Sequence, residues 1–170
     1  MKNIILYRKI GEQIRGKNIE ATLSIAFFAL FICVALGLSF FKHPFGEMQL
    51  LNVSLAGTLG LGLLFLNLLV SGASLMNLKD SWRVGVLEDQ KTDLVTTGIY
   101  RFTRNPYFVS YFLMFAAYTV LLQNWILFGL SICGFLFVHQ MIIREEAYLY
   151  SVHGDAYVQY KLNVPRYLIV

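Results

Sequence analysis

Charged residues are scarce in this chain, and their scarcity limits the class of protein. Asp, Glu, Lys and Arg make up 14% of the 170 residues, whereas hydrophobic residues make up 57%. An ordinary soluble domain carries roughly 25% charged residues, so the composition indicates a membrane protein. Basic residues exceed acidic ones by only 14 to 10. Because they are dispersed among uncharged blocks, the sequence predicts no nucleic-acid-binding surface.

Cysteine and histidine are also rare, with two and three copies. Cys33 and Cys133 each lie within an apolar stretch, where a thiol usually behaves as a small hydrophobic side chain. The histidines are far apart in sequence and show no metal-binding spacing. We therefore expect neither a disulfide framework nor a metal site.

Long uncharged runs predict the membrane-spanning helices. Residues 21–41 contain no charge over 21 positions, which is enough for a helix to cross a hydrocarbon core about 30 Å thick. Residues 50–78 form a second uncharged run, whose small residues suit close helix packing, within one bundle or between two copies. The sequence therefore predicts two transmembrane helices within 21–78, after a polar, amphipathic N-terminal segment at 1–20.

A third uncharged run is too long for one crossing. Residues 105–143 span 39 positions without Asp, Glu, Lys or Arg, and one straight helix of that length would reach about 58 Å. The chain must therefore fold back within this run, whose most polar break is the QNW sequence at 123–125. We expect a tight helical hairpin at 107–143, with spans near 107–122 and 125–143.

The distribution of Lys and Arg orients this arrangement. With the N-terminus cytoplasmic, 13 of the 14 basic residues lie on the cytoplasmic side and only Lys42 lies outside, in agreement with the positive-inside rule. The sequence thus predicts an all-α integral membrane protein with about four transmembrane helices and both termini in the cytoplasm. The region 79–170, which includes a cytoplasmic C-terminal helical segment, then supplies the polar residues for a site.

Most basic and aromatic residues on that side have an ordinary explanation, since arginines face lipid phosphates and tyrosines form interfacial belts. Glu145 and Glu146 are harder to explain in this way, because carboxylates gain nothing from anionic lipid. Adjacent helical residues point roughly 100° apart, so we expect one of the two to face inward and the other to have a structural role. Glu146 shares one side of a continuous helix with His139 and Tyr150.

Pro106 marks the beginning of the third span. Its ring disfavours helix at Asn105, so the proline is expected at the first helical position. The free amides of that first turn, together with Arg104 and Asn105, form a group of donors that suits a carboxylate or a phosphate. Gly98 predicts a second tight turn just upstream.

Four segments with these features resemble one known family in their order and spacing: SWRVGV at 81–86, LVTTGIYRFTRNPYF at 94–108, REEAYL at 144–149 and HGDAYVQYKLNVPRYL at 153–168. They are similar to the isoprenylcysteine carboxyl methyltransferase and phospholipid methyltransferase family of integral-membrane enzymes. The resemblance covers roughly residues 77–168. It implies a cytoplasm-facing pocket for S-adenosylmethionine and methyl transfer to a lipophilic acceptor, either an isoprenylcysteine-like carboxylate or a lipid headgroup.

Carried over position by position, the resemblance implies that nine residues contact the cofactor: Thr92, Asp93, Leu94, Val95, Tyr100, Asn105, Pro106, Phe108 and Glu145. The chain departs from the family pattern at three positions. Asn105 stands where many members have His, Phe108 where many have Tyr, and His153 where Phe usually precedes the glycine. Because phenylalanine cannot donate a hydrogen bond, the polar contact made by tyrosine at that position cannot form here.

Methyl transfer is an in-line displacement, which requires alignment and exclusion of water more than it requires catalytic groups. A terminal carboxylate acceptor is already ionised at neutral pH, and Arg101, Arg104 or Arg166 can orient it. A lipid amine must first lose a proton, and Glu145 or Glu146 is the available general base. Residue types leave both acceptors open. The candidate catalytic residues are therefore Arg104, Glu145 and Glu146, with carboxyl O-methylation favoured.

Two other functions are consistent with the sequence. Sterol-reductase-like enzymes resemble this family in their C-terminal helices and aromatic-basic loops, so an NADPH-dependent membrane reductase is one alternative. The departures at Phe108 and His153 allow a non-catalytic membrane scaffold as the other. Binding of S-adenosylhomocysteine rather than NADPH discriminates between the two enzyme classes.

Overall fold

The computed structural model describes residues 19–41, 45–78 and 94–168. Over these residues the chain is helical and contains no β-strand. The elements in chain order are α1 (Ile19–Ser39), α2 (Val53–Leu78), a 3₁₀-helix (Gly98–Arg101), α3 (Pro106–Leu122), α4 (Trp125–His153) and α5 (Asp155–Asn163). The predicted all-α fold is confirmed for this part of the chain, and the first two helices lie within three residues of their predicted bounds.

Three helices, α1, α2 and α4, are long and apolar enough to cross a membrane. Helix α3 is also apolar but has only 17 residues, which corresponds to about 26 Å. That length is at the lower limit for a transmembrane helix. Four crossings and a cytoplasmic location of both termini therefore stay predictions.

The helical hairpin forms at the predicted break, since α3 ends at Leu122 and α4 begins at Trp125. Gln123 has a left-handed backbone, with φ of 42°, and reverses the chain. Its side-chain Oε1 accepts hydrogen bonds from the amides of Leu50 and Leu51, at 2.9 and 2.7 Å. The polar break is therefore hydrogen-bonded to the connection between α1 and α2.

Asn124 completes this connection. Its Oδ1 accepts a hydrogen bond from the Ile126 amide at 2.9 Å, which caps α4. Its Nδ2 donates to the Phe45 carbonyl at 2.9 Å. Because the side chain is fully buried, both of its polar groups require such partners.

Helix α4 extends ten residues beyond the predicted membrane span at 125–143. It continues through the REEAYLY sequence to His153, because good helix formers follow the apolar run without a glycine or proline. Gly154 then ends the helix with φ of 51°. Glu145 and Glu146 thus lie on the spanning helix itself, and the predicted continuous helix through His139, Glu146 and Tyr150 is confirmed.

The hydrophobic core lies among α1, α3 and α4, and its buried members are Phe31, Ala35, Phe115, Leu127, Val138 and Ile142. Helix α2 packs along α3. Gly60 makes this approach possible, because a Cβ at that position would overlap the Leu121 side chain. The prediction that small residues in α2 serve packing is confirmed at Gly60, whereas Gly57 and Gly72 have open space beside them.

Substitution of Gly134 should destabilise the helical core. A Cβ there would lie 2.7 Å from the Phe115 ring and 2.8 Å from the Phe27 ring, so α1 and α3 would have to shift. We expect Gly134→Ala to lower the free energy of unfolding by about 1–3 kcal/mol, measured as a lower thermal unfolding midpoint in detergent. The matched control is Gly129→Ala in the same helix, where a Cβ meets nothing within 4 Å. Equal midpoints for the two variants would contradict the packing described here.

Candidate functional site

Glu146 is the centre of a buried polar network near the end of α4. Its exposed fraction is 6%, yet four donors reach its carboxylate. Arg166 binds in a bidentate manner, with Nε 3.0 Å from Oε1 and Nη2 2.9 Å from Oε2. Asn105 donates from Nδ2 to Oε1 at 3.1 Å, and Arg104 Nη1 lies 3.4 Å from Oε2. We refer to these four residues as the Glu146 network.

The network contains two guanidinium groups and one carboxylate, so it carries an excess positive charge. Arg104 is the more buried cation, with 7% of its side chain exposed compared with 33% for Arg166. Its Nε is buried and has no hydrogen-bond partner within the described part of the chain. An unpaired donor on a buried cation is unfavourable. An anionic group bound beside Arg104 would neutralise the excess positive charge and accept a hydrogen bond from Nε.

The C-terminal segment, residues 164–168, lies against the residues that precede α3. The Pro165 carbonyl accepts a hydrogen bond from the Arg104 amide at 2.9 Å. The Arg166 carbonyl accepts two, from Thr103 Oγ1 at 2.9 Å and from Asn105 Nδ2 at 3.2 Å. Backbone contacts therefore position the Arg166 side chain opposite Glu146.

Two tyrosines of α5 support the same residues. Tyr157 Oη accepts a hydrogen bond from Arg104 Nη1 at 3.2 Å, and Tyr160 Oη donates to the Tyr100 carbonyl at 2.7 Å. Burial raises the pKa of Tyr157 to about 12, and the nearby charge of Glu146 adds to this effect. The Tyr157 hydroxyl thus stays protonated at neutral pH. Because it accepts from Arg104, its own proton is available for another acceptor.

Glu145 lies on a different side of α4 and is only partly buried. Burial raises the pKa of Tyr100, and the charge of Glu145 contributes to the increase. Glu145 thus lies within electrostatic range of the Tyr100 hydroxyl. Two of the residues implied to contact the cofactor thus interact electrostatically, while the neighbouring Glu146 belongs to the buried network.

The remaining implied cofactor residues have different surroundings. Leu94 packs against the cluster formed by Tyr157, Tyr160 and Val164. Val95 is partly buried, and Phe108 packs against the hydrophobic core. Thr92 and Asp93 lie outside the described residues.

The structure has the predicted tight turn at Gly98 and the predicted proline at the beginning of α3. Gly98 has φ of 61°, and Pro106 is fully buried at the first position of α3. Asn105 precedes the helix, but its side chain makes no cap hydrogen bond. Its Nδ2 instead donates to Glu146 Oε1 and the Arg166 carbonyl. Both hydrogens of this amide are thus engaged within the protein, and none remains for a ligand.

Sequence reasoning did not identify the pairing of Glu146 with Arg166. The carboxylate could have indicated this ion pair, because an acidic residue on an apolar helix requires a cationic or hydrogen-bonding partner. The sequence does not say which of three nearby arginines provides it. A second unpredicted contact joins His139 Nδ1 to Tyr167 Oη at 2.6 Å, and it holds the C-terminal segment against α4.

Comparison with known proteins gives a consistent result. The family profile described as phospholipid methyltransferase matches residues 55–156. A protein-S-isoprenylcysteine O-methyltransferase of Schizosaccharomyces pombe is 35% identical over 113 residues, which are 64% of this chain and 47% of the relative. Enzymes with the same name from Dictyostelium discoideum and Xenopus laevis are 35% and 33% identical, over 46% and 47% of this chain.

The chain spans less than half the length of these curated relatives. The family match nevertheless covers more than half of the chain, including nearly all of α2, the whole of α3 and α4, and the Glu146 position. It confirms the resemblance found in the sequence motifs. The chain therefore belongs to the phospholipid methyltransferase family.

Proposed function

We propose that this protein transfers the methyl group of S-adenosylmethionine to a carboxylate on a lipophilic acceptor, at the cytoplasmic face of a membrane. Family membership supports methyl transfer, and the names of the three relatives support an isoprenylcysteine-like acceptor. Apolar helices long enough to cross a membrane support an acceptor that arrives through the lipid phase.

The observation that carries the choice of a carboxylate is the only partly compensated charge of Arg104, which shares the single Glu146 carboxylate with Arg166. This cation is buried, and its Nε lacks a partner among the described residues. A carboxylate is already ionised at neutral pH and supplies the acceptor atoms that a guanidinium binds best. An amine would instead add positive charge to a network that already has an excess of it.

The geometry of Glu146 also favours a carboxylate acceptor. An amine acceptor requires a general base within hydrogen-bonding distance, and both oxygens of Glu146 are held by cationic or amide donors. We infer that Glu146 holds Arg104 in place and does not remove a proton. Among the candidate catalytic residues, Arg104 then orients the acceptor.

Glu145 and Tyr100 are two of the described residues proposed to contact the cofactor. S-adenosylmethionine supplies an activated methyl group on a sulfonium centre, and its amino-acid end carries an ammonium. The Glu145 carboxylate is a suitable partner for that ammonium. Leu94, which packs against the cluster containing Tyr160, provides an apolar surface. The chain's own contribution is to align the two reactants and to exclude water.

The direct test is to incubate membranes containing the protein with methyl-labelled cofactor and a prenylated cysteine. We expect label in the lipid extract as a base-labile methyl ester. Label in a base-stable lipid amine would contradict the carboxylate acceptor. Absence of label together with binding of NADPH would support the reductase, and absence of both activities and of cofactor binding would support the scaffold.

Glu145→Gln should lower the rate of methyl transfer at least tenfold, because the charge that pairs with the cofactor ammonium is lost. The protein should remain folded, since Glu145 lies outside the buried network. The measurement is label incorporation at saturating acceptor, together with the unfolding midpoint. Lys42→Ala, on the predicted opposite side of the membrane, is the control and should have the wild-type rate. A normal rate for Glu145→Gln would contradict the proposed cofactor contact.

A further inference from the structure

A cleft of about 470 Å³ lies between the end of α4 and helix α5. Glu146, Arg166 and Tyr157 from the Glu146 network and its surroundings form one part of its lining, and Lys161 forms another. The remaining lining is largely apolar and includes Ile143 and Leu162. The cleft thus combines cationic groups with an apolar wall.

This cleft is separate from the proposed cofactor contacts. None of the described residues implied to bind the cofactor lines it. Glu145 and Glu146 are adjacent on α4, and their side chains point about 100° apart. Glu146 lines the cleft, whereas neither Glu145 nor Tyr100 does. The helix therefore divides the two regions.

The charge of the cleft favours an anionic ligand. Three cations, Lys161, Arg166 and the adjacent Arg104, are present with one carboxylate, Glu146. Lys161 is exposed and forms no ion pair within the described ranges. Tyr157 adds a hydroxyl that accepts from Arg104 and can donate its own proton. These groups match the oxygens of a phosphate.

The position of the cleft along α4 corresponds to the headgroup region of a bilayer. Helix α4 has 29 residues and is about 44 Å long, which exceeds the hydrocarbon thickness of about 30 Å. With Trp125 at one interface, roughly the last nine residues extend beyond the hydrocarbon at the other. Ile143 then lies at the boundary, and Lys161 lies at headgroup level. Leu162 is 73% exposed and provides a surface for acyl chains.

We propose that this cleft binds the headgroup phosphate of an anionic membrane phospholipid, as a bound ligand that is not methylated. Lys161 and Arg166 contact the phosphate, and the acyl chains lie along Ile143 and Leu162. A phospholipid fits better than a free anion, because the apolar wall continues beside the cationic groups. The site borders the Glu146 network, which includes the Arg104 proposed to orient the acceptor, and its occupancy would brace α5 and the Arg166 segment against α4.

The test is a binding measurement on the full-length protein in detergent, without cofactor. Phosphatidylglycerol and phosphatidylcholine with identical acyl chains are compared by native mass spectrometry. We expect at least fivefold greater retention of phosphatidylglycerol, and we expect Lys161→Ala to lower its retention roughly fivefold, the factor for about 1 kcal/mol per lysine near an anionic surface. Lys42→Ala, the same substitution at the predicted opposite membrane face, should retain the wild-type value.

Three results would overturn the proposal. Equal retention of the two lipids would show that the headgroup charge is not recognised. Wild-type retention by Lys161→Ala would exclude the cleft as the site. Displacement of the lipid by millimolar inorganic phosphate would show that the site binds a free anion. Because no methyl transfer is measured, failure of the proposed enzymatic function would leave all of these readouts unchanged.

Discussion

Replacing Glu146 by alanine is expected to lower the free energy of unfolding by about 3–5 kcal/mol, the cost of removing one partner from a buried ion pair. The carboxylate accepts the bidentate contact from Arg166 and further contacts from Asn105 and Arg104. Without it, two guanidinium groups would face each other in a largely buried site. The unfavourable effect would be largest at Arg104, because only 7% of its side chain is exposed and water cannot replace the lost contact.

The measurement is the thermal unfolding midpoint in detergent, and the matched control is Glu145→Ala on the same helix. Glu145 is only partly buried, so its electrostatic contacts should contribute no more than about 1 kcal/mol. Glu146→Gln should be intermediate, since an amide keeps the shape of the side chain but loses its charge. Equal midpoints for Glu146→Ala and Glu145→Ala would contradict the central role of Glu146.

A second comparison tests whether the lower stability of Glu146→Ala arises from loss of its ion pair with Arg166. If it does, Arg166→Ala should also destabilise the protein, and the double variant should cost less than the sum of the two single variants. A third of the Arg166 side chain is exposed, so water can partly replace its contacts. We therefore expect a smaller effect for Arg166→Ala than for Glu146→Ala. Strict additivity would indicate that the two side chains do not act together.

The elements of the fold that could be predicted from sequence depend on local properties of the chain. The length of the uncharged runs determines the helices, and the break at Gln123 determines the hairpin because one straight helix would be too long. Pro106 was expected at the first helical position for steric reasons. In each case the structure is determined by residues that are neighbours in sequence, so no distant contact had to be known.

The Glu146 network could be predicted only in part. Helix geometry requires Glu145 and Glu146 to face different environments, but it does not say which one is buried. That choice depends on Arg166, which is 20 residues away and is positioned by carbonyl contacts with Thr103 and Asn105. Such contacts depend on how the C-terminal segment folds back. The sequence alone does not fix that path.

The end of α4 could be predicted only approximately from the sequence. The membrane span was predicted to end at residue 143 because Arg144 is the first charged residue after the apolar run, although the helix itself was expected to continue as far as Tyr150. The helix continues to His153, because no residue before Gly154 favours its termination. The extension carries Glu146 to Arg104 and Tyr157, and it forms one wall of the cleft. An interface limits the apolar run and does not limit the helix.

Arg104→Ala is expected to lower the rate of methyl transfer roughly 10- to 150-fold, the factor for about 1.5–3 kcal/mol lost with one hydrogen bond to a charged group. The proposed role of this residue is to orient the acceptor carboxylate. Its Nη1 is fixed by Glu146 and Tyr157, and its Nε is unpartnered among the described residues. Arg104→Lys should restore only part of the rate, because an ammonium cannot reproduce the planar contact of a guanidinium.

The matched control is Arg101→Ala, which removes an exposed arginine from the same segment and should leave the rate within about twofold, as expected for a cation that faces lipid phosphates. The decisive readout is the KM for a carboxylate acceptor against the KM for the cofactor. Loss of acceptor orientation should raise the acceptor KM or lower kcat while the cofactor KM stays constant. A purely structural role would instead change both KM values and lower the unfolding midpoint, because the Arg104 side chain joins the residues before α3 to Glu146 of α4 and to Tyr157 of α5. An Arg104→Ala variant with normal kinetics would exclude this residue from the site, and the carboxylate acceptor would lose its main support.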